Sequence, residues 1–230
     1  MNIIYLLFHG LSPYSGISKK ILYQVKGLEA CGHQVSLCTY CIADNSHRVR
    51  MINGEIIADY GTGKLAAARK RVSYHCIYHY AVAHRVELIY VRSFHNANPF
   101  TIRLFSKLRK AGIKIAMEIP TYPYDNEYAG FPLATRLGIQ VDKVFRKTLA
   151  EHVNAIVTFS DHHHIFGQRT IQISNGVDFD SIPLKKTVSK NTSVIHLLGV
   201  AEVHYWHGYD RLIDGLGKYC LLYTSDAADE

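Results

Sequence analysis

Two tyrosines, a glutamate and an aspartate on a stiffened loop are the first residues here that could do chemistry. The run MEIPTYPYDNEY puts Glu118 at the end of a strand, followed by Tyr122, Tyr124 and Asp125 around two prolines. Proline fixes φ, so such a loop holds its rings and acids in place. Tyrosine rings stack on sugar faces and carboxylates accept from hydroxyls, so a polyhydroxylated ligand suits the pattern. A second informative run is ISNGVDFDSI, where a strand leads into Asn175-Gly176. The glycine there is expected to take a positive φ that closes the strand.

Other runs read as ordinary structure. His162 to His164 invite a metal reading, but consecutive helical residues point about 100° apart and cannot converge on one ion. The run reads instead as the start of a short helix capped by Ser160 or Asp161, and no metal is expected. Cys38 and Cys41 form a lone CxxC without a partner pair, which reads as plain thiols. The first turn has Gly10 and Gly16 but no GxGxxG, and the second strand ends in Thr39-Tyr40 without a ribose-binding acid. A dinucleotide-dependent dehydrogenase or a nucleotide-dependent epimerase fits poorly. GTGK at Gly61 to Lys64 lacks the spacing of a phosphate loop.

The elements that must position these residues alternate between strand and helix. NIIYLLF, QVSLCTY, LIYV, IKIAMEI, AIVTF and TIQIS read as strands. RVRMINGEIIADY reads as a hairpin turning at Asn53-Gly54. Helices are expected from the spacing of Ile17, Ile21, Leu22, Val25 and Leu28, ending at Gly32; over about Lys64 to His84; from Pro99 to about Lys110; and along Leu137, Val141, Val144, Phe145 and Leu149. This alternation predicts an α/β fold with a parallel sheet covered on both faces. Ligands of such sheets sit past the carboxyl ends of strands. The loops to watch are His9 to Gly16, Arg92 to Asn98, Pro120 to Phe131, Ser160 to Phe166 and Ser174 to Val177. A polar stretch from about 178 to 192 reads as a linker, and 193–219 as the first strand and helix of a further unit.

The chain has 230 residues, 48% hydrophobic and 20% charged, so it is globular and can bury a core. No run is long and apolar enough for a spanning helix, and the start reads as a strand and not as an export signal. Five cysteines without a framework spacing are expected to stay reduced in the cytoplasm. The net charge of +7 suits nucleic acid, an anionic membrane or phosphorylated small molecules. No nucleic-acid module and no basic stripe with interleaved aromatics is present, so nucleic acid is not expected.

NGVD after the last strand resembles a motif of the retaining glycosyltransferases of the GT-B fold, the large family (family 4) that includes many enzymes building bacterial polysaccharides. SPYSGISKKILYQVKGLEACGHQVSLCT resembles that family's first turn, first helix and second strand. EIPTYPYDNE and VTFSDHHHIFG resemble the members that build capsular and surface polysaccharides, and GVAEVHYWHGYDRLIDGL resembles the opening of the second domain. The resemblance spans about Asn2 to Tyr219. It implies a Rossmann-like, acceptor-side domain over 1–187 and the start of a donor-binding domain over 193–219. It implies transfer of a sugar from a nucleotide-sugar co-substrate to a glycan or lipid-linked acceptor, with retention and with no metal or other cofactor. Gly16, Arg92, Glu118, Tyr122, Tyr124, Asp125, Ser160 and Asn175 would face the cleft. His207 and Gly208 would sit at the donor phosphates. A basic acceptor domain would suit peripheral docking on the inner face of the cytoplasmic membrane.

Two departures stand out. The family places an Arg and a Lys before the glycine that matches Gly208; here His207 precedes it, with no Arg or Lys between Gly199 and Gly208. The pair of glutamates expected in the donor half is absent as well. CLLYTSDAADE, residues 220–230, resembles the in-frame translation of a transposase-end adapter used in sequencing. The expectation is therefore a truncated reading frame, inactive alone, with native sequence to about Tyr219; the other reading is a genuine acidic tail. Without the tail's three acids, 26 basic residues face 16 acids, a charge of +10. The alternative function is a non-catalytic, basic α/β binding protein.

Overall fold

The computed structural model describes residues 1–93, 95–124, 133–182, 197–199 and 207–219. They fall into two units, Met1–Ile182 and Pro183–Glu230. The first contains strands β1 (Asn2–Leu6), β2 (Gln34–Ile42), β3 (Arg48–Ile52), β4 (Glu55–Asp59), β5 (Leu88–Arg92), β6 (Lys114–Ile119), β7 (Ala155–Thr158), β8 (His164–Ile165) and β9 (Gln168–Gln172). Its helices are α1 (Gly16–Ala30), α2 (Gly63–Val72), α3 (His75–Ala83), α4 (Pro99–Lys110) and α5 (Leu133–Glu151). The strand order is β4-β3-β2-β1-β5-β6-β7-β9-β8. Pairing is parallel from β2 to β9 and antiparallel at the edges, where β3, β4 and β8 attach. The fold is thus α/β with a mostly parallel sheet, as the alternation predicts.

The central strands are apolar on both faces because helices cover both. Successive residues of β1 serve opposite cores, as the period of two requires. Ile4 and Leu6 join the larger core, with Ile89, Val91, Phe105, Leu108, Ile115 and Ile156. Tyr5 and Leu7 join the smaller one, against Ile21 of α1. On β2 the same period turns Cys38 inward and leaves Cys41 half-buried, so the CxxC thiols lie on opposite faces.

Helix ends follow local chemistry. Asn98 caps α4, its side-chain oxygen accepting from Phe100 N at 2.9 Å and Thr101 N at 3.1 Å, with Pro99 in the first turn. Gly32 follows α1 at φ 80°, a left-handed position that glycine takes without strain.

Four expectations are corrected. The helix expected over Lys64 to His84 is two, broken at Ser73-Tyr74, where the Ser73 backbone is extended and Tyr74 turns inward. Ser160 caps no helix: the histidine run bends and enters the β8–β9 hairpin, which turns at Phe166 (φ 51°) and Gly167 (φ 85°). Gly176 is not in a left-handed conformation. Of the stripe expected on α5, Leu149 is buried and Phe145 packs against the larger core, beside Ile139, Asp142 and Ala150, while Leu137, Val141 and Val144 are exposed. A buried acid displaced part of the apolar stripe, because Asp142 accepts from Ala97 N at 3.0 Å and Tyr124 Oη at 2.7 Å.

In the second unit, α6 (Tyr209–Tyr219) matches the expected helix. The expected strand before it lies outside the described residues except for 197–199, and residues 220–230 lie outside them entirely.

Candidate functional site

A cavity of about 1120 Å³ opens at the carboxyl edge of the sheet. It lies where β1 and β5 diverge, the chain running from β1 toward β2 and from β5 toward β6. This is the topological switch point at which doubly wound sheets hold ligands. Its walls are His9, Gly10 and Ser12 after β1, the start of α1 as far as Tyr23, Arg92, Ser93 and His95 after β5, Ile119, Pro120, Thr121 and Tyr124 after β6, and Asn175 to Val177 after β9.

Each wall has a local cause. Ser15 caps α1, its hydroxyl accepting from Ser18 N at 3.4 Å, and Ser18 Oγ accepts from Ser12 N at 2.9 Å. Ser18 is therefore buried although it is polar. Gly10 is required by close approach: a Cβ there would lie 2.9 Å from the Tyr40 carbonyl oxygen. A Cβ on Gly16 would meet nothing within 4 Å, so that glycine leaves the cavity open at the helix start. After β9, Asp178 accepts from Lys26 Nζ at 2.7 Å, which ties the Asn175–Val177 wall to α1.

Beneath the cavity lies a charged network. Glu118 is fully buried on β6. Its oxygens accept from Tyr90 Oη at 2.6 Å, Gln24 Nε2 at 2.9 Å, Lys20 Nζ at 3.4 Å and Arg92 Nη1. Tyr5 Oη donates to Gln24 Oε1 at 2.6 Å, which orients the amide. Burial, then the Glu118 charge, raises the Tyr90 hydroxyl far above the ordinary tyrosine value. Burial lowers Lys20, although Glu118 opposes that shift, and the Lys20 ammonium also sits 3.5 Å over the Phe159 ring. Arg92 and Lys20 line the cavity, whereas Glu118 does not. The acid expected to meet a ligand is instead the group that holds two cations at the cavity floor.

His9 completes the wall. Its Nδ1 donates to the Gly10 carbonyl at 2.7 Å, which leaves Nε2 as the nitrogen bearing the lone pair. Burial chiefly lowers its pKa, with Arg92 and Lys70 adding to the shift, so the imidazole is held neutral. A neutral imidazole on a cavity wall can accept a proton from a hydroxyl.

Of the predicted site residues, Gly16, Arg92, Tyr124 and Asn175 line this cavity. Tyr124 offers its ring, but its hydroxyl is committed to Asp142. Tyr122 packs edge-on against His162 at 4.9 Å and Phe166 at 5.6 Å and is absent from the cavity wall. Ser160 is likewise absent from that wall; its hydroxyl meets Thr158 Oγ1 at 3.0 Å and His162 Nδ1 at 3.1 Å. Asp125 lies outside the described residues. Among the described residues no His, Cys, Asp and Glu group is placed to hold a metal.

In the second unit, Gly208 immediately precedes α6 at φ 67° and its carbonyl accepts from Leu212 N at 3.0 Å. The Arg211 guanidinium folds back over it, so that a Cβ on Gly208 would lie 2.6 Å from Nη2. Arg211 thus lies one turn downstream of Gly208, and the His207 ring lies 6.0 Å from Tyr209.

Sequence reasoning placed His9 in a loop expected to face a ligand without naming it as a site residue, and it missed Lys20 and Tyr90. His9 carried a signal, being the first polar residue after a buried strand. Lys20 and Tyr90 carried none, since only strand order brings them to Glu118. Comparison with protein-family models, curated proteins and solved structures gave no match for this chain.

Proposed function

We propose that the cavity is the acceptor-binding half of the cleft of a retaining glycosyltransferase, with most of the donor-binding groups supplied by sequence beyond this chain. The observation that supports it is an open cavity of about 1120 Å³ at the switch point. Its wall offers a tyrosine ring, an asparagine, serines, a neutral imidazole and two fixed cations. Polar groups on a partly apolar wall suit a sugar, whose hydroxyls need partners and whose ring faces stack on aromatics. In this reading His9 faces the acceptor hydroxyl, Arg92 and Lys20 face its oxygens, and Tyr124 supports a ring. Asn175 and Val177 close the far side. Arg211 at the start of α6 serves the donor phosphates in place of the missing upstream pair. Departure of a nucleoside diphosphate needs such cations and helix N-termini and no metal.

Titration of the chain with mono- and oligosaccharides, read by saturation-transfer NMR, tests the acceptor role. Binding weakened by His9→Ala supports it, and no glycan binding at any concentration removes it. Sugar transfer by this chain alone, from any nucleotide sugar, would remove the division of labour.

Peripheral association with an anionic membrane has separate support. Leu133, Leu137, Val141 and Val144 form an exposed apolar ridge along α5, with Arg136, Lys143 and Lys147 beside it. Helices α2, α3 and α4 carry no acidic residue. An apolar ridge with basic flanks is the pattern of a helix lying in a membrane interface. No helix among the described residues is long and apolar enough to cross a membrane. Flotation with anionic but not neutral vesicles, lost in Leu137→Glu, checks this.

A further inference from the structure

The fold buries two arginines and gives only one of them an acid. Arg92 is 6% exposed and lies against Glu118. Arg50, in the middle of β3, is 0% exposed, and no ion pair reaches it among the described residues. Its Nη1 donates to the Leu7 carbonyl at 3.0 Å and lies 3.9 Å from Cys38 Sγ, while Nε donates to Tyr60 Oη at 3.4 Å. Nη2 is buried with no hydrogen-bond partner, and the Phe8 ring lies 5.9 Å from the guanidinium carbon. The neighbours bring no negative charge. Burial pushes the Cys38 thiol up to about 11 and the Tyr60 hydroxyl up to about 12, so both are neutral at pH 7. A buried charge without a counter-charge is among the costliest features a fold can carry.

More positive charge gathers beside it. The Lys70 ammonium sits 3.4 Å over the Tyr40 ring, and Arg48 Nη1 donates to the Tyr40 hydroxyl at 2.8 Å. Burial first, then the charges of Arg50, Arg71 and Arg48, bring Lys70 down to about 8. Lys70 and Arg48 are only half-buried, so an anion from solvent can reach them. The cluster adjoins the cavity through Gly10, which packs on the Tyr40 carbonyl, and through His9, which feels both Arg92 and Lys70.

We propose that Lys70 and Arg48, over the Tyr40 ring, form a phosphate-binding site whose charge is completed from beneath by Arg50. Three cations with no acid paired to them among the described residues suit a dianion better than a carboxylate. The arginine fork matches phosphate oxygens, and a phosphomonoester carries about −1.5 to −2 at pH 7. The ligand is a phosphoryl group, free or esterified to the occupant of the neighbouring cavity. The site stands independently of the sugar-transfer reading, because it rests on residues outside that cavity.

The test uses the full chain at constant ionic strength, with chloride exchanged for inorganic phosphate or glycerol phosphate. A saturable rise in Tm is expected. Lys70→Gln and Arg48→Gln should each weaken it about tenfold, the share of one charge-assisted hydrogen bond. Tighter binding of glycerol phosphate assigns the site to an esterified phosphate, and equal binding to the free ion. Line broadening in the phosphorus NMR spectrum of inorganic phosphate reads binding without reference to stability. A phosphate effect no larger than that of chloride, or one unchanged in both variants, overturns the proposal.

Discussion

Replacing Glu118 by glutamine removes one charge and leaves two. The side chain is fully buried and accepts from four donors, two of them cations. A glutamine keeps an acceptor oxygen for Tyr90 or Gln24, so the neutral part of the network survives in part. The cations fare differently. The Lys20 side chain is 18% exposed and can turn toward water in the cavity, whereas that of Arg92 is 8% exposed and cannot. Stripping one partner from a buried ion pair costs about 3–5 kcal/mol, and Arg92 carries most of it. That is a large fraction of the roughly 5–15 kcal/mol that holds a domain together. With an m-value of about 2 kcal/mol/M, the urea midpoint of Glu118→Gln should fall by roughly 2 M. Tm should fall by about 10 °C. The double variant Glu118→Leu with Arg92→Met should recover part of the loss, since the one cation it leaves unpaired, Lys20, can turn toward water. A single-variant loss below about 1 kcal/mol, the range of surface changes, would refute the view that Glu118 anchors the cavity floor.

Three further outcomes follow from the structure. Gly10→Ala drives a Cβ to 2.9 Å from a backbone oxygen and should cost about 1–3 kcal/mol. Gly16→Ala meets nothing within 4 Å and should leave Tm unchanged or slightly raised, while weakening glycan binding; equal destabilisation by both would contradict the assignment of Gly16 to open space. Lys70 is lowered from the ordinary lysine value of 10.5 to about 8, so between those pH values the unfolded chain binds more protons than the folded one. Stability from this group should therefore rise with pH across that window and vanish as a pH effect in Lys70→Gln, read as the urea midpoint against pH. A flat wild-type profile would show that Lys70 is not held against its neighbours' charge.

Strand and helix existence was legible because short-range rules decide it. Apolar runs without polar gaps mark β1 and β7, and Pro99 after Asn98 marks the start of α4 to the residue. The loops that line the cavity were legible too, since strand ends in such a sheet are where ligands go. What the chain could not show by itself was which polar residue turns inward. Asp142 and Ser18 are buried because distant backbone groups, Ala97 N and Ser12 N, need acceptors. In α1 the expected Ile21, Val25 and Leu28 still face the core beside Ser18, whereas in α5 Asp142 takes an inward place and Leu137, Val141 and Val144 turn outward.

The sequence by itself determined an alternating α/β chain, its turns and the end of the sheet that would hold a site, because propensity, period and capping act over a few residues. Only the tertiary structure decided the electrostatics. It set Glu118 under Arg92 and Lys20, and it left Arg50 with no acid partner among the described residues. Charge pairing depends on strand order and burial, which join residues that lie ten to a hundred positions apart in the chain.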